Sequence, residues 1–118
     1  MDLNEHSQAP ASVRCALALR ENQWDEAHRL ADSGEDRDLY YWHAIVHRQE
    51  PDPANAAYWF RKVGTHPIFK DLRDQAAALG YNAGPEWDPF AFIDYSGPLK
   101  PQIEALEWQL LYAWCARR

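Results

Sequence analysis

The sequence predicts an all-α fold, and three observations carry that expectation. Apolar residues recur at spacings of three and four along most of the chain, as one buried helix face requires. Only eight of the 118 residues are β-branched, while alanine and leucine dominate, a composition that favours helix over strand. Proline and glycine fall where helices start and stop.

Residues 1–9 read as a tail and 10–118 as one domain. The stretch PASVRCALALR sets Val13, Leu17, Ala16 and Cys15 on one side of a first helix. After a break over 21–23, WDEAHRLA gives a short second helix with Trp24, Ala27, Leu30 and Ala31 inward, ended at Ser33–Gly34 by a glycine cap. A third helix starts at Asp36, whose carboxylate suits the free N–H groups of a first turn. It places Leu39, Trp42 and Val46 on one face beside His43 and stops before Pro51.

Asp52–Pro53 restarts the chain, a capping carboxylate followed by proline at the first helical position. The fourth helix turns Ala56, Trp59, Phe60 and Val63 inward and ends at Gly64, suited to the left-handed conformation of a helix stop. So short a link makes the third and fourth helices an antiparallel hairpin.

Thr65-His66-Pro67 opens a fifth helix with Ile68, Phe69, Leu72, Ala76 and Leu79 inward and Gly80 at its end. YNAGPE, residues 81–86, is turn chemistry. Asp88–Pro89 repeats the start signal for FAFIDY, with Phe90 and Ile93 inward and Trp87 placed for a staple contact. The last helix runs from Leu99 or Pro101 to Cys115 and carries two apolar stripes. Leu99, Ile103, Leu106, Leu110 and Trp114 form one; Trp108, Leu111, Tyr112 and Cys115 form the other. Only Glu104, Glu107 and Gln109 remain as a polar edge. Such a helix is normally packed on both sides, so it is expected to cap the helix array or to close a homodimer.

Tyr40 and Ala44, then Ala56 and Phe60, resemble the aromatic and small positions of a tetratricopeptide repeat, over one unit spanning residues 37–67. His43 and His47 stand where that family usually carries leucine and tyrosine. Val63 stands where it prefers alanine, and Pro67 one residue before the usual terminal proline. Trp24 and Ala27 resemble the same positions of a preceding unit. The resemblance implies an array of antiparallel helix hairpins, an α-α superhelix capped by the long C-terminal helix, and a protein-interaction or scaffolding role.

Hydrophobic residues are 47% and aromatics 14% of the chain, too apolar for disorder. The net charge of −6, with three lysines, argues against nucleic acid and anionic membrane surfaces, which need a positive footprint. The longest late apolar run, LLYAWCA, falls far short of the ~20 residues of a membrane span, and MDLNEHSQAP lacks the apolar core of a signal peptide. Cys15 and Cys115 are too few for a disulfide scaffold and read as small buried hydrophobes. A cytoplasmic protein is expected, with no cofactor.

No catalytic machinery is legible: the serines have no nucleophile elbow and the glycines no phosphate-cradling pattern, so no enzyme activity is expected. Tyrosine and arginine concentrate at interface centres, which makes Tyr40, Tyr41, His47, Arg48, Tyr58 and Arg61 a candidate groove for a protein or peptide partner. The alternative is a small-ligand or metal-binding protein centred on His43 and His47. Residues four apart share a helix face, and two imidazoles there can share one metal ion. His28, His66 or a carboxylate such as Asp52 would supply the third ligand. The bland reading makes His43 a core residue hydrogen-bonded through its ring nitrogens, with His47 and Arg48 facing acids of a neighbouring helix. Three such groups within ligand distance would favour the metal reading over the groove.

Overall fold

A computed structural model describes residues 9–117; apart from Ala9, the tail expected over residues 1–9 lies outside them. Among the described residues there are seven helices and no strand: α1 (Ala11–Arg20), α2 (Trp24–Ala31), α3 (Arg37–Gln49), α4 (Pro53–Val63), α5 (Phe69–Ala78), α6 (Pro89–Asp94) and α7 (Lys100–Ala116). The fold is all-α with a long C-terminal helix, as the composition and periodicity predict. No helix among the described residues is long and apolar enough to cross a membrane. The chain divides after Val63 into two compact units.

The first unit holds α1–α4 as two successive helix pairs. α1 packs on α2 and α3 on α4, while α3 also touches α1 and α2. Its starts and stops follow the sequence closely. The Asp36 carboxylate accepts from the Asp38 N–H at 2.7 Å, and Asp52 accepts from the backbone and side-chain nitrogens of Asn55 at 3.3 and 2.9 Å. Gly64 takes φ 65° after α4, the left-handed stop that glycine adopts without steric cost. α2 departs from expectation: it ends at Asp32 in ordinary helical geometry, and the Ser33 hydroxyl donates to the Leu30 carbonyl at 2.6 Å, so Gly34 is not its cap.

α3 is the spine of this unit, because every residue from Tyr41 to Arg48 is buried. Trp42 and Tyr41 are both 0% exposed, and Tyr41 meets Phe60 of α4 edge-to-face at 5.6 Å. Tyr41, expected to line the candidate groove, is instead a core residue. A helix flanked by α1, α2 and α4 has little circumference left for solvent. Trp59, expected inside, is only half-buried. The Cys15 thiol donates to the Ala27 carbonyl at 3.2 Å, tying α1 to α2.

Ala56 is fully buried at the α3–α4 contact. Ala56→Leu is expected to overpack it and cost ~1–3 kcal/mol, read as a lower denaturant midpoint. An unchanged midpoint would show slack at that contact.

The second unit holds α5, α6 and α7, with α7 packed on α5. α5 starts at Phe69, later than the proline suggested, after a turn in which the buried His66 Nδ1 accepts from the Ile68 N–H at 3.2 Å. Leu79 is 43% exposed because the helix has already ended at Ala78. In α6 the inward ring is Phe92, 0% exposed, while Phe90 is 40% exposed. Trp87 and Phe92 flank the capping Asp88 as a hydrophobic staple, 5.3 Å apart. On α7 the buried stripe is Ile103, Glu107, Leu111 and Cys115, so Glu107 belongs to the inner face and not to a polar edge.

Candidate metal centre

Three of the four helices in the first unit bring imidazoles and their supports together. His28 sits in the last turn of α2, while His43 and His47 lie one turn apart on α3. The His28 ring stands edge-on to His43 at 4.7 Å and to His47 at 5.3 Å, and His43 and His47 stack at 5.0 Å. One nitrogen from each of the three lies within 4.8 Å of the others. A tetrahedral zinc ion with Zn–N bonds of about 2.0–2.1 Å holds its nitrogens about 3.3 Å apart, so the three rings would draw together to hold one. The i, i+4 spacing on α3 puts two donors on one face, and the short α2–α3 link carries the third to it.

The protonation state suits that role. Burial, with the neighbouring imidazoles of His28 and His47 adding to it and Asp32 opposing, pushes His43 down to about 4, so at neutral pH its ring is the neutral form that ligates metals. His43 is 2% exposed, and its Nδ1 has no hydrogen-bond partner among the described residues. That corrects the expectation of a core histidine satisfied at both ring nitrogens. A buried nitrogen without a partner is costly, and a metal ion or a ligand proton would relieve it. Behind His43, the Trp59 indole stacks at 3.8 Å and 14°, fixing the ring plane.

His47 is 8% exposed, and its Nδ1 lies 2.5 Å from Glu50 Oε1. A carboxylate on one imidazole nitrogen fixes the tautomer and raises the basicity of the other, the usual support for a ligating histidine. Asp52 joins His47 and Glu50 in a second set of close donors. The Asp52 carboxyl is held below its ordinary range chiefly by the Asn55 side-chain amide, then by the Asn55 backbone N–H, with His47 adding to it.

The other site residues separate. Tyr41, His47 and Arg48 are buried, whereas Tyr58 and Arg61 are exposed and Tyr40 is half-buried, so the six do not line one open groove. Tyr40 and Tyr58 each contact the Trp59 ring. His66 belongs to the second unit, with Nδ1 engaged by Ile68, so the third imidazole is His28. The sequence offers His28 only as one of several third ligands, because spacing on one helix says nothing about which residue of another helix reaches it. The second unit has a cleft of ≈ 550 Å³ between Phe69, Trp87 and Phe90. Lys70 and Arg73 at its rim are answered by Asp74, which leaves little bias for a charged ligand.

No protein-family model, curated protein or solved structure matches the chain significantly.

Proposed function

We propose that the first unit is a metal-binding module that takes a divalent transition metal ion of zinc type on His28, His43 and His47. The observation that carries it is the convergence of three imidazole nitrogens within 4.8 Å of one another from two helices. Imidazole ligands suit zinc, copper, iron and nickel far better than calcium or magnesium. Three protein ligands leave at least one coordination position for water or a small ligand. Glu50 acts on the ion only through His47.

Titration of chelator-treated protein with Co²⁺, followed by Zn²⁺ competition, tests this. One ion per chain is expected, with the intense visible absorption of a four-coordinate cobalt site. His28→Ala, His43→Ala and His47→Ala should each lose more affinity than the about 10–100-fold expected of Glu50→Ala, a supporting contact. Unchanged binding in His43→Ala would sink the assignment.

A second reading, a helical-repeat module that binds a protein or peptide, is supported by one feature. The outer face of α4 exposes Tyr58, at 46%, beside Arg61, and exposed aromatics with arginine favour interfaces. The successive helix pairs suit a repeat ancestry. Loss of a captured partner in Tyr58→Ala, with metal binding intact, would assign the two activities to separate surfaces.

A further inference from the structure

The outer face of the α3–α4 pair carries a constellation that shares only the Trp59 indole with the metal centre. The Lys62 ammonium lies over three rings at once, 5.0 Å from the centre of Tyr40, 5.1 Å from Trp59 and 5.6 Å from Tyr58. Tyr40 comes from α3 and the other two from α4. Tyr58 stands at 90° to Trp59 and Tyr40 is tilted 36° against it. The rings thus wall a point in space on three sides; they do not form a flat stack. Trp59 is held from behind by His43, while the exposed Tyr58 leaves the enclosure open to solvent. Lys62 itself is exposed and makes no ion pair among the described residues.

Aromatic faces attract cations without a counter-charge, and most strongly when the cation sheds its water. We propose that Tyr40, Tyr58 and Trp59 form a cage for a quaternary ammonium group, with Lys62 as its resident competitor. A lysine ammonium is compact and strongly hydrated, so it keeps water at the open side and gains little from the rings. A methylated ammonium spreads the same charge over an apolar surface that is weakly hydrated and matches three ring faces. The lysine stem is flexible, and its departure uncovers the walls without moving a helix. The Nζ position marks where the incoming charge would sit. The cage needs no metal ion, although Trp59 also backs His43.

Calorimetric titration with tetramethylammonium, choline and a trimethyllysine peptide, with ammonium as control, tests it on the whole chain. The quaternary cations should bind and ammonium should not. Lys62→Ala should bind them roughly fivefold tighter, the gain from removing an exposed competitor. Tyr58→Leu and Trp59→Leu should lose binding; the Tyr58 variant replaces an exposed ring and so keeps the fold even if the Trp59 variant does not. Preference for the peptide over choline would assign the group to a protein tail, and equal binding to a free small molecule; either supports the cage. Absence of quaternary ammonium binding to Lys62→Ala, ammonium binding as well as its methylated form, or unaltered binding in Tyr58→Leu would each overturn it.

Discussion

Trp42→Ala is expected to be the most damaging single truncation in the first unit, costing ~3–5 kcal/mol. Trp42 is 0% exposed and sits in the middle of α3, the helix that contacts all three of its neighbours in the unit. Removing an indole there loses its transfer free energy and leaves a cavity that three helices would have to close together. Against a typical total of 5–15 kcal/mol for a domain, that loss brings the first unit close to unfolding at ambient temperature. Trp59→Ala should cost clearly less, because its ring is half-exposed and water already covers part of the site. Urea unfolding of both variants, with Trp42→Phe as a volume-sparing control, makes the comparison. Equal losses at the two positions, or a larger one at Trp59, would mean that the core is centred on α4 and not on α3.

The order of those two tryptophans was not legible in the sequence, and the reason is physical. Periodicity finds a face only when the opposite face is polar, and α3 has almost none: His43, His47 and Arg48 are buried along with their apolar neighbours. The same failure hides Glu107, since α7 is apolar around most of its circumference and nothing in the pattern selects one stripe over another. Helix boundaries were far more legible, because they depend on local chemistry. Asp36, Asp52–Pro53, Gly64 and Asp88–Pro89 each act within one turn, and each stands at the end it marks.

α6 shows how local chemistry could have gone further. With six residues it is too short for a hydrophobic period, so placing Phe90 and Ile93 inward had no sound basis. The staple rule alone pairs the residue before the cap with the fourth residue of the helix, and from Asp88 that residue is Phe92. The candidate metal centre was half legible. A shared helix face follows from the spacing of His43 and His47, whereas the contact of His47 with Glu50 is found only in the structure. The arrival of His28 depends on how α2 packs against α3, a tertiary fact with no counterpart in local sequence.

Acidification of the metal-free protein should destabilise it through His43, by about 2–3 kcal/mol between pH about 7 and about 4.5. The sign follows from the direction of the shift. Burial is the largest cause, with His28 and His47 next and Asp32 opposing, and together they lower His43 from 6.5 to about 4. Between those values the unfolded chain takes up a proton that the folded one refuses, so protonation favours unfolding. The contribution is fully present above pH about 6.5 and is lost as pH falls towards 4. Asp32 attracts the charged form of His43, while the neighbouring rings of His28 and His47 oppose it. Denaturant unfolding in chelator at a series of pH values reads this directly, with His43→Gln as reference. The variant should show a flatter profile and, at pH about 4.5, should lose less of its neutral-pH stability than the wild type. An equal slope in both proteins would mean that the buried ring is not the group refusing the proton. Added Zn²⁺ should steepen the wild-type profile alone, because the ion competes with protons for the same nitrogens. In the metal-free protein the cluster is costly: three imidazoles crowd one another, and the buried His43 Nδ1 lacks a hydrogen-bond partner among the described residues. A cation at their common centre would remove that cost.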